Sequence, residues 1–147
     1  MEIKWIYLLV LIYIIEKGFA AFPNEQEKRD YYFKIKERCW EHCKSTISEE
    51  NLEIYEDDLG GVENEQICAY KYCMAEFIGF IKNNKIDIDK ILSEGQQAFP
   101  KIRSHEFIAG KALLKSCKTA AESADDGPTV YREFSKCITR ESSVQFE

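Results

Sequence analysis

Six cysteines, at positions 39, 43, 68, 73, 117 and 137, constrain this 147-residue chain more than any other feature. In "ERCWEHCKST", Cys39 and Cys43 stand about one helical turn apart, and Tyr32, Ile35, Cys39, Cys43 and Ile47 recur at spacings of three and four, so both thiols face inward from one helix. Ahead of them the chain opens "MEIKWIYLLVLIYIIEKGFAAFPN", with Lys4, an apolar run from Trp5 to Ile15, and then Gly18, Ala20 and Ala21. A run of about 11 residues is too short to span a bilayer and has the length and small-residue exit of a secretory signal peptide. Residues 1–20 are therefore expected to be removed, with Ala21 as the neighbouring cleavage choice, leaving an extracellular domain of residues 21–147. In an oxidising compartment an even cysteine count implies a disulfide framework, and six cysteines admit fifteen pairings. Zinc is a poor rival, because C-x3-C, C-x4-C and two isolated cysteines have no histidines at finger-like spacing, so no metal is expected.

The pattern along the mature chain is helical. Ser48 is a credible cap for "SEENLEIYEDDLGG", with Gly60-Gly61 as its stop. In "NEQICAYKYCMAEFIGFIKNN", Ile67, Tyr70, Met74, Phe77, Ile78 and Ile81 form one stripe, which Asn83-Asn84 breaks. A fourth helix is expected from an Asp87 cap, ending before Pro100, and a fifth from Ser104, with Phe107, Leu113 or Leu114, Cys117 and Ala121 on one side. After "DDGP", Pro128 sits at a first helical position, and Val130, Phe134, Cys137 and Ile138 come into register for a sixth. No alternating strand pattern, repeat or Pro/Ser/Gly-rich linker interrupts this. The expectation is one all-α domain of about six helices, most of two to four turns. Such a chain can usually bury enough apolar surface without covalent help, so the cross-links suit either extracellular durability or a core that is partly hollow.

A net charge of −6, unchanged by removal of residues 1–20, argues against nucleic acid or an anionic membrane as the main partner. No P-loop, G-x-S-x-G or H-E-x-x-H occurs, and no Asn-x-Ser/Thr glycosylation acceptor. His42 and His105 read as surface or half-buried residues whose titration keeps a pH-sensing role open, and Asp57-Asp58 and Asp125-Asp126 as solvated turn acids. No enzyme and no cofactor is expected. What remains is an aromatic surplus, eight Tyr and nine Phe.

Three stretches carry a resemblance. "CKSTISEENLEIYEDD" follows Cys43, "CAYKYCMAEFIGFI" holds Cys73 followed by Met74, Glu76 and Gly79, and a long gap leads to Cys117 and then Cys137. Over nearly all of its mature length the chain resembles the insect odorant-binding proteins, small secreted six-helix carriers with three interlocked disulfides. It departs from them twice. Cys68 and Cys73 are separated by four residues where the family has three, and the position of the family's fifth cysteine, nine before the sixth, is Pro128. The family pairing implies bonds 43–73 and 117–137, which leaves Cys68 to Cys39, an additional cysteine. Roughly parallel first and third helices suit 39–68 with 43–73; antiparallel helices suit 39–73 with 43–68. The first choice keeps a family bond. It ties the sixth helix covalently only to the fifth.

The resemblance implies an apolar cavity cross-linked by three disulfides and holding a small hydrophobic ligand: an odorant, a pheromone or another apolar molecule. The expected lining is Met74, Phe77 and Ile78 on the third helix, Ile88, Ile91 and Leu92 on the fourth, Phe107 and Leu114 on the fifth, and Phe134 on the sixth. Tyr131 is the hydroxyl expected to reach a ligand, and Val144 and Phe146 of the tail are expected to fold over the opening. Stable membrane insertion is not expected. A membrane receptor or a second copy of the chain are the macromolecular partners left open. The competing class is a secreted, disulfide-rich helical protein of saposin-like or venom type that acts on membranes or on a protein partner, which calls for a filled core and an exposed apolar stripe.

Overall fold

The structure, a computed structural model, describes residues 25–59, 62–100 and 104–144. The expected signal peptide, the Gly60-Gly61 stop and the tail after Val144 lie outside the described residues. Helices dominate: α1 (Glu25–Cys43), α2 (Glu49–Asp57), α3 (Glu65–Ile78), α4 (Ile88–Ala98), α5 (Ser104–Ala121) and α6 (Gly127–Val144). With 19, 18 and 18 residues, α1, α5 and α6 are longer than the two to four turns expected. No described helix is long and apolar enough to cross a membrane.

Short polar side chains start the helices, because the first N–H groups of a helix have no partner within it. The Ser48 hydroxyl accepts from the Asn51 N–H at 3.2 Å, Asn64 from Ile67 at 2.9 Å and Asp87 from Lys90 at 3.0 Å. At α6 the cap is Asp126, which accepts from both the N–H and the hydroxyl of Thr129 at 2.9 and 3.0 Å. Pro128 thus follows Gly127 into the first turn.

The third helix stops earlier than its apolar stripe suggests. Gly79 adopts φ 100°, its N–H reaches the Glu76 carbonyl at 3.1 Å, and the Phe80 N–H reaches Ala75 at 2.8 Å. This is the double hydrogen bond of a Schellman turn, which a glycine closes without the strain a Cβ would bring. Ile81 is therefore not helical. It begins a small antiparallel hairpin of β1 (Ile81–Lys82) and β2 (Lys85–Ile86), with Ile81 opposite Ile86. Asn83 and Asn84, at φ 53° and 63°, make the two-residue turn that hairpins of this twist require. The expectation of a chain without strands is corrected to that extent. Lys118 on α5 and Glu122 just past its end clamp the hairpin: Glu122 accepts from the Ile86 N–H at 2.8 Å, and Lys118 donates to the Ile86 carbonyl at 2.7 Å.

Two cores result. The first joins α1, α2 and α3 through Tyr32, Cys39, Cys43, Ile47, Tyr55, Ile67, Tyr70, Met74 and Ile78. The second joins the hairpin, α4, α5 and α6 through residues such as Ile81, Ile86, Ile88, Leu113, Val130 and Phe134. Phe80, just past the Schellman turn, packs against both. At Gly127, where α6 meets α3, a Cβ would force the tip of the Tyr72 side chain to shift.

Each core has its own disulfide, Cys43–Cys73 in the first and Cys117–Cys137 in the second. The expected third bond, 39–68, is not formed: Cys39 and Cys68 are free thiols. The reason lies in the spacing. Five residues turn a helix through about 140° beyond a full revolution, so when Cys73 faces Cys43 on α1, Cys68 looks elsewhere. Cys39 instead points its thiol at the Met74 carbonyl, 3.9 Å away.

Candidate functional site

Where the two cores meet the side chains change character. In the first, Tyr32 donates to Glu56 at 2.6 Å and shares a 2.9 Å hydrogen bond with Tyr70, whose side chain is fully buried. Lys36 closes on the same Glu56 oxygen at 2.8 Å, and Arg29 caps the end of α2 through the Glu56 and Asp57 carbonyls at 2.7 and 2.9 Å. Burial, and then the hydrogen bonds to Glu56 and Tyr70, push the Tyr32 phenol far above its ordinary range. This network is satisfied within itself, which suits a rigid wall.

Tyr131 on α6 is different. Its ring packs against the second core but is only half-buried. Loss of hydration raises its phenol, against a hydrogen bond with Ser135 that lowers it. Its hydroxyl is near enough to act on two phenols of the other half. It contributes, after burial, to raising Tyr55, and, after burial and Glu94, to pushing Tyr31 up to about 12. Ile91, Leu92 and Leu114 share its half-buried state and its core.

Outside this group α1 and α4 are separated by a groove of about 400 Å³, whose lining includes Tyr31, Ile35, Arg38, Glu94, Ala98 and Phe99. Two contacts span it. Arg38 grips Glu94 with both terminal nitrogens at 3.1 and 3.2 Å, and Tyr31 meets Phe99 edge to face at 5.3 Å. Hydrogen bonds from Arg38 and Lys90 hold the Glu94 carboxyl below its ordinary value, against a smaller cost of burial. Tyr31 and Ile35 give the α1 side of this groove its apolar surface.

Of the expected lining residues, the structure brings Ile88, Ile91, Leu92, Leu114, Tyr131 and Phe134 together in the second core. Met74 and Ile78 lie in the first, across the junction. Phe107 is half-buried on α5. Phe77 faces outward, 49% exposed and 5.0 Å from the His42 ring, because it lies one position before the buried Ile78 and on the far side of the stripe. It is withdrawn from the lining. Phe80 and Tyr55 lie outside the expected lining, while Ile35, on the expected inward face of α1, lines the groove. The first had a legible signal, since a glycine followed by an apolar residue at a helix end is the mark of a Schellman turn.

No protein-family model, curated protein or solved structure matches this chain. Its own residues carry the functional argument. Among the described residues no three His, Cys, Asp or Glu side chains gather as a metal site. The two free thiols are chemically quiet: burial raises Cys39 against a lowering by Arg38, and burial with the Glu63 charge raises Cys68. Cys68 lines a second groove of about 400 Å³ between α3 and the start of α6, opposite Pro128, Thr129 and Arg132.

Proposed function

We propose that this chain is a secreted carrier that takes up a small apolar molecule where its two cores meet, and performs no chemistry on it. The observation that carries the reading is Tyr131 with Ile91, Leu92 and Leu114, half-buried and mostly apolar side chains packed against the second core, with one phenol hydroxyl among them. Such a surface, apolar with a single polar handle, is what a small-molecule site needs. The groove between α1 and α4 is the way in, and the Arg38–Glu94 clasp is its latch. Burying about 300 Å² of ligand surface at about 25 cal/mol/Å² supplies some 7 kcal/mol, which corresponds to a Kd of roughly 7 μM before ordering costs are subtracted.

The resemblance to odorant-binding proteins points the same way. Cys68 faces the groove that holds Pro128, the position at which that family places the partner of its second cysteine. The ligand class is then a volatile or another small apolar molecule, such as an odorant, a pheromone or a fatty acid.

The test is displacement of a fluorescent apolar probe from the refolded, oxidised chain beginning at Ala21. Saturable micromolar binding, competed by small hydrophobic volatiles or fatty acids, is expected. Leu114→Trp should abolish it by filling the site, and Tyr131→Phe should weaken ligands with a polar end more than pure hydrocarbons. An oxidised monomer that binds no probe but permeabilises lipid vesicles would replace this reading with the saposin-like or venom-type one.

A further inference from the structure

A basic groove lies on the face formed by the hairpin and α5. It encloses about 690 Å³, and its lining includes Lys82 and Lys85 from the hairpin and Lys111, Lys115 and Lys118 from α5, against Asp87 and Asp89. That surplus of positive charge stands out on a chain whose net charge is −6. Of the acids at the groove, Asp87 and Glu122 are already engaged, and Asp89 stands against the lysines. Asp87 caps α4 through the Lys90 N–H, and Glu122, at the groove's edge, takes Lys118 at 2.7 Å and Lys85 at 3.8 Å. Lys82, Lys111 and Lys115 have no acidic partner among the described residues. The wall they stand on is built rather than accidental. Lys118 and Glu122 bind both the N–H and the carbonyl of Ile86, which fixes the hairpin against α5.

We propose that this groove binds a compact anion bearing two or more phosphate groups. Three physical points select that class. Lysine ammonium groups are point charges with donors in several directions, which suits phosphate oxygens, and the groove's lining has no arginine to fork onto a carboxylate. The α5 lysines span about 10 Å along the helix, more than one phosphate can use. At physiological ionic strength charges are screened over about 8 Å, so a compact anion feels the groove, whereas an extended polyanion also meets the acidic remainder of the molecule. Soluble polyphosphates and phosphorylated lipid headgroups share this chemistry. This groove shares no lining residue with the one between α1 and α4, although Ile88 of the second core lies on its wall.

The experiment titrates the refolded, oxidised chain with inorganic pyrophosphate, following backbone amides by NMR. In parallel the chain is sedimented with phosphatidylcholine vesicles with and without phosphatidylinositol bisphosphate. Saturable shifts confined to residues 82–89 and 111–119 are expected, with affinity falling about tenfold in Lys111→Glu/Lys115→Glu and unchanged in Lys34→Glu, which alters charge in the other groove. Lys115→Gln alone should give a smaller loss if the double variant folds poorly. Binding of pyrophosphate assigns the site to a soluble anion, and binding only of the bisphosphate vesicles assigns it to a lipid headgroup. Binding of neither, or an equal loss in Lys34→Glu, overturns the proposal. Displacement of the apolar probe should be unaffected by Lys111→Glu/Lys115→Glu, so failure here is distinguishable from failure of the carrier reading.

Discussion

The two halves of this molecule are stabilised by different physics. Around Cys43–Cys73 the core is aromatic and partly polar: Tyr32, Tyr55, Tyr70 and Trp40 meet edge to face at 5.5 to 6.3 Å, and the Tyr32 hydroxyl is joined to both Tyr70 and Glu56. Around Cys117–Cys137 it is mainly aliphatic and small, with Ile81, Ile86, Ile88, Val130 and several alanines around Phe134. Directional hydrogen bonds hold side chains in one arrangement, whereas aliphatic contacts depend mainly on area and can rearrange around a guest. The first half is thus held by directional contacts and the second mainly by apolar area. The half-buried Tyr131, Ile91, Leu92 and Leu114 all belong to the second.

The largest effect should come from joining the halves. Pro128→Cys places a thiol across the groove from Cys68, and a bond closing about 60 residues adds up to about 4 kcal/mol in the chain-entropy model. Thiol counting should then find only Cys39 free, and denaturant unfolding should show a higher midpoint. If Cys68 remains free, the approach of α3 to α6 is wider than described.

Removing the existing bonds one at a time separates the halves further. The sequence separations of 30 and 20 residues make each worth about 3 to 4 kcal/mol. Cys43→Ser/Cys73→Ser should disturb Trp40, which packs at 6.3 Å from Tyr70, while Cys117→Ser/Cys137→Ser should leave its fluorescence native and weaken probe binding. Equal disturbance of Trp40 by both would mean that the cores unfold as one.

Alkali should attack the aromatic half. Burial holds the Tyr32, Tyr55 and Tyr70 phenols above their ordinary value of 10.0 in the folded protein. Their folded values exceed the unfolded ones, so their contribution is complete below about pH 10 and is lost as pH rises beyond it, because the unfolded chain releases protons first. Trp40 fluorescence and phenolate absorbance should therefore change together above pH 10. Acid acts on the clasps instead. Glu94 and Glu122 are held below the carboxylate value of 4.5, Glu94 chiefly by Arg38, and Glu122, despite the cost of burial, by Lys118 and the Ile86 N–H. Their contribution is present above that value and lost as pH falls through the folded ones, so the groove latch and the hairpin clamp should loosen below about pH 4.5.

The smallest expected effects come from the caps. Ser48→Ala in the first half and Asp87→Ala in the second should each cost about 1 kcal/mol in chemical denaturation. Asp87→Ala should also lower probe affinity, since it frays the start of α4, which carries Ile91 and Leu92.

Much of this was legible in the chain. The caps at Ser48 and Asp87 and the buried register of Val130, Phe134 and Cys137 follow from local chemistry and helical period, and both disulfides present were implied by the resemblance. The misses had local causes as well. The apolar stripe through Phe77 and Ile81 continues past Gly79, where the helix itself ends, and a five-residue spacing turns Cys68 off the Cys73 face and away from Cys39.

Sequence by itself determined where the helices start, which faces they bury and the inward direction of Cys39 and Cys43, because these depend on hydrogen bonds and periodicity within a few residues. Tertiary structure alone decided that there are two cores rather than one, that Phe80 joins them, that Cys39 and Cys68 stay apart, and that five lysines from two elements share a groove. Each of these depends on how helices cross, and crossing is set by the packing of side chains distant in sequence, which no local pattern encodes.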